Sequence, residues 1–194
     1  MNRQNALASI IKSLSKEDLV IAIFGAMSDL LYSLKDRPGN FYMRGGMGLA
    51  SSIGLGLALA VPERRVIVLD GDGSILMNLG SYATIGRESP HNLVHIVFDN
   101  ESHGAVGGYP TSTATNTNLE LVAKATSIKT ATTIRNEPDL ERTLNRINTR
   151  NGPHVIIAKV EKDASASRAN VNRLVKVKER FLNTVKGEDM NAMG

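Results

Sequence analysis

The sequence predicts an α/β domain built on a doubly wound, mostly parallel sheet with helices on both faces. Three observations carry this. Short β-branched runs alternate with helical patterns; several of the runs are apolar almost throughout, the mark of strands buried on both sides; and glycine-containing turns follow the run ends. Five runs read as strands: residues 19–24 (LVIAIF), 66–70 (VIVLD), 93–99 (LVHIVFD), 129–134 (KTATTI) and 154–160 (HVIIAKV). Helices are expected from Ser28, a residue able to cap (SDLLYSL), over 49–61 (LASSIGLGLALAV), over 78–87, over 119–126, and in PDLERTLNRINTR with Pro138 in the first turn. The stretch 100–118 shows little structure of its own, and a loop of that length in a compact domain points to function or disorder.

Composition narrows the function classes. At 194 residues the chain suits one domain, able to bury roughly 70% of its unfolded surface without staples. The absence of cysteine excludes disulfides and thiolate metal sites. The formal charge of +4 sits mostly in residues 159–194, where eight basic residues face five acidic ones, so a solvated tail explains it better than a nucleic-acid surface. An aromatic content of 4% with no tryptophan also argues against base stacking. The N-terminus lacks a sustained apolar signal core, and no stretch of 18 apolar residues runs uninterrupted, so a soluble cytoplasmic domain is expected. Within RLVKVKERFLNTV, Leu174, Val177, Phe181 and Val185 fall at helical spacing, an amphipathic stripe suited to packing on this domain or on a partner subunit.

Ligands on sheets of this class bind at the carboxyl ends of strands, and four segments fall there. The first is Asp70-Gly71-Asp72-Gly73-Ser74, where glycines let the backbone approach an anion, a helix start offers free N–H groups, and Asp72 adds a hard oxygen for magnesium. The second is Asp99-Asn100-Glu101-Ser102, with Asn100 lying 28 positions after Asp72. Two strand ends separated by one helix can be neighbours in a parallel sheet, so an Asp, an Asn side-chain oxygen and a backbone carbonyl could share a metal. The third is Arg44-Gly45-Gly46-Met47-Gly48, opening a helix of small residues; alone it reads as a glycine turn with Met47 as core filler. The fourth is Phe24-Gly25-Ala26-Met27-Ser28, either a helix cap or an anion-contacting strand end.

Taken together, GDGS, a helix containing Asn78 and an apolar strand ending in Asp-Asn resemble the signature of the thiamine-diphosphate enzymes. The resemblance covers about residues 19–113 well and the remainder loosely. It implies that Asp72, Asn100 and the Ser102 carbonyl hold Mg2+, that Gly73 and Ser74 meet the diphosphate together with Gly25 and Ser28, and that Asn100 counts among the cofactor contacts. It implies that Met47 is the apolar wedge bending the cofactor into a V shape, that the Gly45 carbonyl accepts from its exocyclic amine, and that the Met47 N–H meets a ring nitrogen. The likeness is closest to the sulfopyruvate and phosphonopyruvate decarboxylases. Their loop usually reads Gly-Gly-Gln-Pro-Thr, where Gly107-Gly108-Tyr109-Pro110-Thr111 stands here, which leaves the substrate open.

On that resemblance the whole chain, 1–194, is expected to be a single diphosphate-binding domain with residues 161–194 as a basic helical tail. The family needs a second, pyrimidine-binding domain that carries a catalytic glutamate, and no stretch of these residues is left to form it. The chain therefore resembles the β subunit of a split enzyme, active with an α-type partner. Two copies of each subunit are the simplest assembly, and the apolar 49–61 helix gives two copies of this chain a face on which to pair. The implied reaction is decarboxylation of a small anionic 2-oxo acid, sulfopyruvate first and phosphonopyruvate second. An acetolactate-synthase-like carboligase half and a non-enzymatic phosphate-binding module are the alternatives. His103, three positions after Asn100, is either a surface histidine or a substrate-facing proton donor. Arg44 is either a substrate contact or an ion-pairing surface residue, and His91, His95 and His154 read as structural.

Overall fold

A computed structural model describes residues 1–147, 152–162 and 174–187. The helices are α1 (Arg3–Ser13), α2 (Ala26–Leu34), α3 (Ala50–Ala60), α4 (Asp72–Leu76), α5 (Gly80–Glu88), α6 (Leu119–Ala125), α7 (Glu137–Arg146) and α8 (Leu174–Lys186). The strands are β1 (Leu19–Ala22), β2 (Asn40–Tyr42), β3 (Val66–Gly71), β4 (Leu93–Asp99), β5 (Ser102–His103), β6 (Tyr109–Pro110), β7 (Thr130–Ile134) and β8 (His154–Lys159). Six of these form one fully parallel sheet in the order β2-β1-β3-β4-β8-β7.

Why the predicted runs become strands is plain from burial. Every residue of β1 and β4, and all but the last of β3 and β8, is buried, so each continuous apolar run is covered on both faces. The helices form two contacting groups, α1 with α2 and α7, and α3 with α5 and α6. Right-handed crossovers place those groups on opposite faces. The chain leaves β1 toward β2 and returns past it to β3, so the strand order reverses between β1 and β3. At such a reversal the following loops diverge and open a crevice at the carboxyl edge.

Several expectations are corrected by the structure. Ser28 does not cap α2; Gly25 occupies the cap, and the fully buried Ser28 hydroxyl donates to the carbonyls of Ala22 (3.1 Å) and Ile23 (2.8 Å). The helix expected over 78–87 begins at Gly80 and is preceded by the separate short α4. Two elements are additional. Helix α1 starts where the Asn2 side chain accepts from the N–H groups of Gln4 (2.8 Å) and Asn5 (3.2 Å), and it buries Ala6, Leu7 and Ile10. Strand β2 is only three residues long, too short to show a period. The stretch 100–118 is not structureless: β5 and β6 pair as a hairpin, with a 3-10 turn at Gly104–Val106 in its connection and another at Ser112–Ala114 after it. The C-terminal helix α8 lies over edge strand β2, with the Phe41 and Phe181 rings 5.4 Å apart and Arg180 in a two-point ion pair with Asp36. Residues 148–150 of the helix expected in PDLERTLNRINTR, and 163–173 and 188–194 of the tail, lie outside the described residues.

Candidate functional site

All six strands are parallel, so the turns after them share one edge. Gly25 follows β1, Arg44 to Gly48 follow β2, Asp72 opens α4 after β3, and Asn100 follows β4. The β3–β4 register pairs Gly71 with Phe98, which brings the two motifs side by side. A Cβ at Gly25, Gly45 or Gly71 would meet nothing within 4 Å, so open space faces these three turns.

Gly48 joins two of the motifs. Its φ of +86° suits glycine, its N–H donates to Ser74 Oγ (3.1 Å), and its carbonyl accepts from Asn78 Nδ2 (2.9 Å). Any Cβ there would press on Met77 and Asn78 at 3.2 and 3.3 Å. The Arg44–Gly48 turn and the Asp72–Ser74 turn are therefore one rigid unit. Asn78, which the sequence signature includes without a role, thus ties the two turns together.

Asp72 is 2% exposed, and its Oδ2 accepts from both Thr111 Oγ1 (2.6 Å) and Thr113 Oγ1 (3.2 Å). Burial raises its pKa above the ordinary carboxylate value; the Thr111 hydrogen bond opposes this and the charge of Asp99 adds to it. Thr113 also donates to Asp99 Oδ1 at 2.8 Å, so one hydroxyl serves both carboxylates. Lys159, the last residue of β8, lies 2.8 Å from Asp99 Oδ2 and 2.8 Å from Glu101 Oε1. Burial works against its charge, but the hydrogen bonds it gives Asp99 and Glu101 hold its pKa above the usual lysine range. Asn100 Oδ1 accepts from the Ser102 N–H at 3.1 Å, forming a tight turn after β4.

Thr111, Thr113 and Lys159 were not singled out in the sequence. Thr111 belongs to the noted Gly-Gly-Tyr-Pro-Thr segment, and that was its only signal.

Two side chains converge above Gly73. A Cβ on Gly73 would lie 2.6 Å from His103 Nδ1 and 3.5 Å from Met47 Cε. Met47 is 37% exposed, which argues against its being core filler. Tyr109, at 70% exposure, projects from the hairpin, and its ring would meet a Cβ on Gly107 at 3.1 Å. Arg44 forms an ion pair with Asp29 (3.5 Å), whose pKa is raised by burial and pulled back by that guanidinium. Beneath the turns, the fully buried His95 Nε2 meets Asp70 Oδ2 at 3.2 Å, and Tyr82 stacks edge-on against the imidazole. Asp70 Oδ1 accepts from the Gly71 N–H, so this buried pair supports the Asp72 turn from below. Neither His91 nor His154 reaches this edge: His154 opens β8 and His91 precedes β4.

Open glycine turns and a helix start at the strand-order reversal of a doubly wound sheet define a cofactor-binding α/β domain, shaped for a phosphate-bearing ligand. Hard oxygen donors border the same crevice, and among the described residues no group of three His, Asp or Glu forms a closed metal cage. The chain belongs to the family described as "Thiamine pyrophosphate enzyme, C-terminal TPP binding domain", whose model matches residues 26–158. Its cofactor is thus thiamine diphosphate. It is 40% identical over 184 residues to the sulfopyruvate decarboxylase subunit beta of Methanocaldococcus jannaschii, covering 95% of this chain and 97% of that one. It is 40% identical over 151 residues to the phosphonopyruvate decarboxylase of Streptomyces viridochromogenes, where 78% of this chain meets 38% of the other. The 4-hydroxybenzoylformate decarboxylase structure from Rhodococcus jostii RHA1 superposes with a TM-score of 0.74 at 19% identity, over 85% of this chain and 33% of that chain. The chain thus spans about a third of that solved structure's length, and at this identity the likeness establishes the fold alone. Among the described residues no helix is long and apolar enough to cross a membrane.

Proposed function

We propose that this chain is the diphosphate-binding subunit of a decarboxylase that converts sulfopyruvate to sulfoacetaldehyde and carbon dioxide. The observation that carries this reading is the end-to-end likeness to a sulfopyruvate decarboxylase β subunit, 97% of whose length is matched. Decarboxylation of phosphonopyruvate is the second reading, favoured by the equal identity over the shorter span.

In this reading Asp72, the Asn100 amide oxygen and the Ser102 carbonyl hold Mg2+. They are few, hard and oxygen-only, which suits a cation that completes its shell with phosphate and water. The Asp72–Ser74 helix start and the open Gly25 turn receive the diphosphate, and Ser28 braces that turn through its two carbonyl bonds. The Gly45 carbonyl and Met47 seat the aminopyrimidine, with Met47 as the wedge. When bound, thiamine diphosphate supplies the electron sink that a 2-oxo acid needs to lose carbon dioxide. His103, over Gly73, stands on the substrate side as the group able to move a proton. The glutamate that activates the cofactor's ring comes from an α-type partner subunit, so the active site forms between chains in a soluble cytoplasmic assembly. In this reading the whole chain, 1–194, is one diphosphate-binding domain with 161–194 as its basic tail.

The test is to purify the chain, add magnesium, thiamine diphosphate and either 2-oxo acid, and follow aldehyde formation with and without the candidate α-type subunit. Turnover of sulfopyruvate only when both are present is expected. Full turnover by the isolated chain would refute the split site, and turnover of phosphonopyruvate alone would transfer the assignment to the second reading.

A further inference from the structure

We propose that Lys159 is a positioning residue for the metal-binding turn, acting through Asp99 and Glu101; this rests on the reading that Asp72, Asn100 and Ser102 hold magnesium. The inference starts from backbone geometry. Glu101 sits between two of the proposed ligands and has a φ of 59°, the left-handed region that a residue with a side chain rarely adopts. Three contacts hold it there. Its N–H donates to Asp99 Oδ1 (3.1 Å), its carbonyl accepts from the Thr111 N–H (3.2 Å), and its carboxylate accepts from Lys159 (2.8 Å). With Glu101 released, the chain would relax to an ordinary conformation, and Asn100 and Ser102 would lose their common direction.

Lys159 is placed for this by the sheet. The parallel pairing of β4 with β8 sets it directly opposite Asp99. Its side chain is 20% exposed and Asp99 only 2%, so this is not a solvated surface pair of negligible effect. A charge role follows from the same contacts. Asp72 and Asp99 are both buried and share the Thr113 hydroxyl. Lys159 occupies Asp99 Oδ2 while Thr113 and the Glu101 N–H occupy Oδ1, so every oxygen of Asp99 is engaged. Asp99 is thereby made an anchor and not a rival ligand one residue before Asn100. The sequence gives no hint of this, because Lys159 lies 60 positions after Asp99 at the end of another strand.

The experiment compares Lys159→Met, Lys159→Arg and Asp72→Ala in the full chain assembled with its partner subunit. Magnesium affinity is titrated at saturating thiamine diphosphate, and the electron paramagnetic resonance spectrum of Mn2+ at the site reports its coordination. Lys159→Met should weaken magnesium binding about 10- to 100-fold, as loss of an outer-shell partner does. It should alter the Mn2+ spectrum, while Lys159→Arg, still able to bridge two carboxylates, recovers most of the affinity. Wild-type magnesium affinity and an unchanged Mn2+ spectrum in Lys159→Met, alongside lost binding in Asp72→Ala, would overturn the role of Lys159 and leave the metal site standing. Unchanged binding in both would overturn the metal site and this inference together. Should Lys159→Met fail to fold, Glu101→Gln cuts one of the two arms: a smaller loss of the same kind supports the proposal, and unchanged affinity refutes it.

Discussion

The two edges of the sheet are built from similar residues and end up opposite in character. At the amino edge, Asn92 is 2% exposed and its Nδ2 donates to the carbonyls of Ala58 (3.1 Å), Val61 (3.1 Å) and Arg64 (2.7 Å). Beside it the buried Asp18 accepts from Arg65 Nε (3.0 Å) and from the Ser15 N–H (2.6 Å). Each of these side chains closes a chain crossing, and none faces open space. At the carboxyl edge, Asp72 and Asp99 are just as buried, but they lie beside glycine turns with nothing within 4 Å and beside the half-exposed Met47. The amino edge spends its polar groups on holding the fold, whereas the carboxyl edge keeps donors and space in reserve. Buried polar residues therefore mark a site only where the backbone around them has been left open.

This contrast can be broken from either side. The largest effect is expected from Asp72→Ala, which on the proposed reading would leave the diphosphate without its metal partner. Thiamine-diphosphate affinity measured by calorimetry with magnesium should fall by more than the roughly 100-fold that an outer-shell loss costs, with the ligand-free chain still folded by circular dichroism. Asn92→Ala should do the reverse. Removing the donor from three carbonyls, the one of Ala58 in a buried bond, should cost about 1–3 kcal/mol in urea unfolding, while cofactor affinity stays at the wild-type value. Met47→Ala should sharpen the comparison within the carboxyl edge, lowering kcat of the assembled enzyme about 10-fold through lost cofactor orientation, with magnesium affinity retained. An unchanged kcat would remove Met47 from the wedge role.

The smallest effect concerns a third region, the packing of α8 on β2. Burial opposes the charge of Asp36, but hydrogen bonds from Arg180 and Tyr42 hold its pKa below the ordinary 3.8. Because the folded value is the depressed one, the ion pair supports α8 fully above pH 3.8 and loses that support as pH falls through the lower folded value. Hydrogen-exchange protection of residues 174–187 should thus drop on acidification below about that pH, and Asp36→Asn should abolish the pH dependence.

Much of this arrangement was legible before folding. Continuous apolar runs announced strands covered on both faces, and all five became strands of one parallel sheet. The Asp72 and Asn100 motifs were legible only as a pair, each after a buried run with one helix between, since a Gly-Asp-Gly turn by itself is common. Short or weakly periodic elements were not: β2 is three residues long, and the cap of α2 lies at Gly25 because the Ser28 hydroxyl found carbonyl partners within its own turn. The 100–118 stretch looked structureless because its order depends on contacts to remote residues, above all Thr111 and Thr113 on Asp72.

By itself, then, the sequence determined five of the six strands of the main sheet and the family, since hydrophobic period and glycine placement are local properties of the chain. Only the tertiary structure decided which side chains complete the site. The parallel register set Lys159 opposite Asp99, the hairpin returned Thr111 and Thr113 to Asp72, and Gly48 came to rest against Ser74 and Asn78. These contacts join residues 26 to 60 positions apart in sequence. Their partners are chosen by strand order and crossover, which no local pattern records.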